Sequence, residues 1–95
     1  MKTNPSLTPV QGRLIDKLKT KGLVILDTAP TSVRRNPYSG EEVELLPLAA
    51  ALVDWIVSPR RGDEINAGKL ARNDWDRARY LFLALWPEAY YSLID

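Results

Sequence analysis

The sequence predicts an α+β fold: an N-terminal helix, a small antiparallel β-hairpin or three-stranded sheet, and a helical C-terminal half. Three observations carry this. Apolar residues recur at helical spacing after Pro9, after Pro47 and after Asn73. The stretch Pro37-Tyr38-Ser39-Gly40 separates two short runs that alternate between apolar and polar residues. Prolines at positions 9, 47, 59 and 87 mark helix ends.

Residues 1–6 read as a loose tail on a single domain that spans 1–95. Thr8-Pro9-Val10-Gln11 then starts a helix. Thr8 caps, Pro9 suits the first turn, and Gln11 sits where a capping box places an amide. Val10, Leu14 and Leu18, with Ile15, form its apolar stripe, and Arg13, Lys17 and Lys21 repeat on a neighbouring face. Gly22 stops the helix, which therefore covers about 9–21. Leu23 to Leu26 is apolar and partly β-branched, so it reads as a buried strand. Asp27 to Thr31 is a turn.

Ser32–Arg35 and Glu41–Leu45 read as paired strands. Pro37 presets φ early in the loop and Gly40 takes the left-handed conformation that closes it. The loop length sets Asn36 opposite Glu41, so Arg35 faces Glu42, Arg34 faces Val43 and Val33 faces Glu44. Arg34, Val43 and Leu45 then point at the core, while Val33, Arg35, Glu42 and Glu44 point away. An isolated hairpin is marginal in water, so another element must support it.

Pro47 opens a second helix, about 47–57, which Ser58-Pro59 ends. It is apolar nearly all round, with Asp54 its one charge, and belongs in the middle of the domain. A buried Asp54 would require a partner, and the hairpin register nominates Arg34. Residues 59–72 are polar with two Gly and read as a loop with at most one helical turn. Asn73 caps a third helix, with Asp74 and Asp76 in its first turn. Trp75, Ala78, Phe82, Leu85 and Trp86 follow helical spacing, Pro87 breaks the helix, and a short last helix follows. Tyr80 and Tyr91 fall off the main stripes, placing either one in a protein interface or against the sheet. Three helices and a hairpin are also the inventory of a winged helix. Here, however, the hairpin precedes two of the helices, whereas a wing usually follows the recognition helix.

Composition excludes several chemistries. There is no Cys and no His. Disulfides, thiolate chemistry and Cys-type zinc sites are ruled out. The commonest general base and metal ligand are missing too. Glu41, Glu42 and Glu44 lack the loop signature of a calcium site and are split between two faces, so no metal or cofactor is expected. Arg61-Gly62-Asp63 spells an adhesion tripeptide, but nothing else in the sequence is extracellular. The opening MKTNPSLTPVQG has no apolar signal-peptide core, and no apolar run is long enough to span a bilayer. The expectation is a cytoplasmic protein without catalytic activity.

The net charge is +1, spread unevenly: residues 1–40 carry seven basic and two acidic side chains, residues 41–95 six basic and ten acidic. Two surfaces follow. Arg34, Arg35 and Tyr38 at the hairpin, with Arg60, Arg61, Lys69 and Arg72 in the polar loop, are residue types suited to a protein contact. Read structurally, Arg35 pairs with Glu42 and Tyr38 folds over the sheet. The alternative uses Arg13, Lys17, Lys21, Arg34 and Arg35 on nucleic acid phosphates; read structurally, these are a solvated helix face and a strand. Homodimerisation through the apolar C-terminal helix is compatible with either.

The stretches RRNPYSGEEVELLPLAAALVDWI and LALWPEAYYSLID resemble the small, uncharacterised proteins encoded by bacteriophages and prophages. That resemblance implies a non-enzymatic accessory protein that binds and modulates a host or phage protein. Inhibitors of host defence, including anti-CRISPR proteins, form one recurrent class. It assigns no functional residue.

Overall fold

A capping box sets where the chain first coils. The Thr8 N–H donates to Gln11 Oε1 at 3.0 Å and the Gln11 N–H donates to Thr8 Oγ1 at 3.2 Å. Helix α1 follows over Pro9–Thr20. The structure is a computed structural model and describes residues 6–25 and 31–94. Of the expected tail it describes Ser6, which is exposed; the rest lies outside the described residues. Ile15 and Leu18 of α1 are buried, whereas Val10 is exposed.

Strands β1 (Ser32–Arg35) and β2 (Glu42–Leu45) pair antiparallel in the expected register, Val33 with Glu44, Arg34 with Val43 and Arg35 with Glu42. Leu45 is buried and Arg34 and Val43 half-buried, while Val33, Arg35, Glu42 and Glu44 face outward. Gly40 has φ +78°, as the loop requires.

The expected third strand is not formed among the described residues, where the sheet has two strands. Residues 23–25 are irregular. Instead, the Leu23 N–H donates to Leu18 O at 3.0 Å, and Leu23 enters the core while Val24 faces out. Strand propensity needs a neighbour to pair with, and the α1 C-terminus takes this backbone first. Leu26 and the expected turn at 27–30 lie outside the described residues.

Helix α2 spans Pro47–Val57 and buries seven of its residues, Leu48, Ala49, Ala50, Leu52, Val53, Trp55 and Ile56. It packs on α4 (Arg72–Leu85) and on both strands. Residues 60–66, expected as loop, form helix α3 (Arg60–Asn66). Its sequence, RRGDEIN, has no apolar stripe. A buried Arg61 and a half-buried Ile65 tie it to the core. The start of α4 also differs from expectation: Ala71 occupies the cap position without a side-chain bond, and Asn73 lies inside the helix. Trp86 ends α4 by donating its N–H to Phe82 O at 2.8 Å and begins α5 (Pro87–Leu93) by accepting from Tyr90 N–H at 3.0 Å.

The core is one cluster around Leu18, Leu52 and Phe82, which are fully buried. Burying each side chain of this size contributes about 1.5–3 kcal/mol. Two of the three indoles are satisfied: Trp55 Nε1 donates to Lys21 O at 3.1 Å and Trp75 Nε1 to Ile56 O at 3.0 Å. The hairpin rests on α2 and α5, which supplies the support that two strands alone lack.

Candidate functional site

Asn36 builds the hairpin tip. It is buried, and its Oδ1 accepts from the N–H groups of Tyr38 at 2.8 Å and Ser39 at 3.2 Å. Its Nδ2 donates to Ser92 O at 2.9 Å, which ties the loop to α5. The backbone of the tip is therefore fixed without any contribution from the Tyr38 ring. That ring is 97% exposed. The folded-back position considered for Tyr38 is not the one observed.

Arg34 and Asp54 meet as the register suggested. Arg34 Nε donates to Asp54 Oδ1 at 2.7 Å and the second nitrogen to Oδ2 at 2.8 Å, a two-pronged contact. The Asp54 side chain is 53% exposed, so the pair lies at a solvated edge rather than in the core. The hydrogen bond donated to Asp54 raises the Arg34 pKa above its ordinary value. Partial desolvation opposes this, and Coulomb attraction adds to it. Arg35 forms no ion pair among the described residues. Its guanidinium lies over Gly40, 3.5 Å from where a Cβ would stand.

Between the tip, α2 and α5 runs a groove of about 580 Å³, floored by Val53, Val57, Leu93 and Ile94 and edged by Arg34, Arg35 and Tyr38. A second groove of about 550 Å³ shares Val57 and Ile94 with it and continues to Arg72, Trp75 and Arg79. Arg72 of the polar segment thus reaches the same face as the hairpin tip. Arg79 stacks on Trp75 at 4.4 Å and bonds Asp76 at 3.1 Å, with its buried Nε unpartnered.

Of the remaining expected contacts, Arg61 lines the second groove together with Arg72, whereas Arg60 and Lys69 do not. Arg61 is buried, 4.7 Å over the Trp55 ring, donates to Lys21 O at 3.4 Å and stands 3.0 Å from Glu64 Oε1. That last contact is an ion pair bent away from a good hydrogen bond. Arg60 and Lys69 are exposed. Arg60 borders a smaller hollow beside Asp54 and Trp55, and the Lys69 carbonyl accepts from Lys21 Nζ at 3.1 Å.

The five-residue basic set is divided. Arg13 and Lys17 line a third groove between α1 and α4, whereas Arg34 and Arg35 line the hairpin groove. Lys17 Nζ is bonded to Asp74 Oδ1 at 3.1 Å, and the Asp74 side chain is only 6% exposed. Asp74 therefore balances a cation as well as occupying a favourable place in the first turn of α4.

The sequence reading missed Asn36 as the anchor of the tip, Val57 and Ile94 as the bridge between grooves, and Arg77 as a second arginine beside Arg13 in the third groove. An Asn opening a hairpin loop is a recognised turn signal, since its side chain accepts from the backbone two residues on. The other residues come together only through tertiary packing. No family model, no curated protein and no solved structure matches this chain.

Proposed function

We propose that this chain is a non-catalytic accessory protein, of the phage type its sequence resembles, that acts by binding and modulating a host or phage protein; a component of host defence falls within that class. The contact face is the hairpin tip with the groove running past Val57 and Ile94 to Arg72. One observation carries the reading: Tyr38 stands fully exposed on a tip whose geometry Asn36 already fixes. A large aromatic ring left in water does nothing for folding. Tyr is also among the side chains that dominate binding when an interface covers them. Arg35 and Arg72 add cationic groups along the same face, so a partner with acidic groups around an apolar centre fits it.

The test uses the full chain and its Tyr38→Ala variant as paired baits in a bacterial lysate, with the recovered protein identified and its affinity measured directly. A specific protein partner should bind the variant more weakly by about 2 kcal/mol, roughly thirtyfold. The variant's melting temperature should stay unchanged. A partner bound equally by both baits, or a variant that melts much earlier, withdraws the tip as contact surface.

A second reading, nucleic-acid binding, draws on the third groove, where Arg13 and Lys17 meet Arg77 and the exposed ring of Tyr80. It requires an affinity that falls steeply with salt. Arg13→Ala is its cleaner test, because removing Lys17 would uncover the buried Asp74 carboxylate. Recovery of nucleic acid without protein from the lysate would favour this reading over the first.

A further inference from the structure

The groove between α1 and α4 shares no residue with the face proposed above. It measures about 610 Å³. Its apolar side chains include Val10 and Leu14 from α1 and Tyr80, Leu81 and Ala84 from α4. Val10 is 67% exposed and Tyr80 61% exposed. The capping box holds Val10 in this position at the first turn of α1, so the exposure belongs to a fixed helix rather than to a loop.

The rim is cationic. Arg13, Lys17 and Arg77 border the groove, and no carboxylate lines it. Lys17 is committed to Asp74. Arg13 and Arg77 form no ion pair among the described residues. They stand on the two helices that form the walls, with the apolar floor between them. Apolar side chains set between two rows of turns match the i, i+3, i+4, i+7 face of a helix. The two uncommitted guanidinium groups match carboxylates on its flanks, where planar two-pronged pairing is available.

We infer that the α1–α4 groove docks an acidic amphipathic helix of a partner protein. Its apolar stripe covers Val10, Leu14 and Tyr80, and its Asp or Glu side chains reach Arg13 and Arg77. Nucleic acid fits the same site less well. Tyr80 is the one ring that could stack a base, and Val10, Leu14 and Ala84 offer methyl groups to which a phosphate backbone gains nothing by binding.

The test needs no knowledge of the natural partner. A labelled peptide of about 16 residues, long enough to hold a helix on docking, carries Leu at i, i+3, i+4 and i+7 and Glu on both flanks. Its fluorescence anisotropy is titrated with the full chain. Saturable binding is expected. It should weaken at least about tenfold when the peptide's Glu residues become Lys, and similarly with Arg13→Glu plus Arg77→Glu in the protein. Tyr80→Ala should weaken it too, while Tyr38→Ala leaves it unchanged. That last result keeps the outcome separate from the face proposed above.

Melting curves confirm that the variants fold. Arg13→Gln plus Arg77→Gln replaces the charge reversal if it does not, with a smaller loss in the same direction. Absence of saturable binding overturns the inference, as does equal binding of the charge-reversed peptide or an unchanged affinity in the arginine variants. A thymidine oligonucleotide that binds more tightly and depends on the same arginines assigns the groove to nucleic acid instead. Self-association abolished by Tyr80→Ala assigns it to a second copy.

Discussion

Two arginine pairs make an instructive contrast. Arg60-Arg61 and Arg34-Arg35 look alike in the sequence, and each sits in a polar stretch beside a glycine or a turn. In α3, Arg61 turns inward until it is 7% exposed, with its guanidinium over Trp55. In the hairpin, Arg34 turns toward Asp54 but stays at a solvated edge, and the tip beyond it opens into water. Arg61 serves the fold while Arg60 stays exposed, and the hairpin leaves a ring and a cation for other use. Burial separates them. A charge removed from water must be matched by partners, and losing one partner is then expensive. A charge at the edge is screened and contributes little.

The sharpest way to break the contrast is Arg61→Ala. It removes a cation stacked on Trp55 and the ion-pair partner of Glu64, and leaves α3 held to the core through Ile65. A loss of about 2–4 kcal/mol is expected, between the roughly 2 kcal/mol of a desolvated stacked cation and the roughly 3–5 kcal/mol of a fully buried pair, since Glu64 stays a third exposed. Chemical denaturation measures it. Arg61→Lys should recover only part, because an ammonium cannot stack and bond in one plane. A loss below about 1 kcal/mol would place Arg61 with ordinary surface residues.

Asn36→Ala tests whether the tip has an anchor of comparable weight. It deletes three hydrogen bonds and leaves Ser92 O and two loop N–H groups short of partners. The expected cost is about 2 kcal/mol, the scale of buried polar groups left unmatched. Partner affinity should fall along with stability, because Tyr38 loses its fixed position. Stability unchanged with affinity lost would mean that Asn36 touches the partner itself.

Much of this was legible in the sequence where local chemistry decides. The capping box, the hairpin register and the bounds of α2 all follow from residues within one turn or loop of each other. Arg34 could be matched to Asp54 because register and an isolated charge narrowed the choice. What stayed hidden depends on distant partners. The RRGDEIN segment carries no helical periodicity, and its contacts run to distant residues: Arg61 over Trp55 and to Lys21 O, and Ile65 against the core. Leu23 to Ile25 has the composition of a strand but finds no neighbouring strand among the described residues. The α1–α4 groove joins residues sixty or more positions apart, and only packing brings them together.

Gly40→Ala sits between the extremes. At φ +78° an alanine is strained, and its methyl would meet the Arg35 guanidinium at 3.5 Å, a flexible group that can yield. The expected loss is about 1 kcal/mol, from the backbone. Gly62→Ala is the matched control in α3, where the same methyl meets nothing within 4 Å at an ordinary helical φ. It should be neutral or stabilising by a few tenths of a kcal/mol.

The smallest loss should come from Asp54→Asn, although its contact with Arg34 has the best ion-pair geometry among the described residues, at 2.7 and 2.8 Å. Geometry alone would suggest a large contribution. Exposure argues otherwise: the Asp54 side chain is 53% and the Arg34 side chain 34% accessible. Water can replace either partner once the other is changed. Asn also keeps one oxygen that can accept from Arg34 Nε. The expected loss is about 0.5 kcal/mol, within the range of exposed pairs. It should shrink further in high salt, where the screening length falls to about 3 Å at 1 M. A double-mutant cycle with Arg34→Ala isolates the coupling from any change that each substitution causes alone. Because Arg34 is the residue whose proton affinity is raised, its stabilising share is intact below the unfolded pKa. That share fades only as pH climbs through the folded value, so the coupling should be flat from pH 6 to 9. A coupling above about 2 kcal/mol, or one that ignores salt, would mean that the hairpin edge behaves like the Arg61 site. The distinction between the two arginine pairs would then rest on something other than burial.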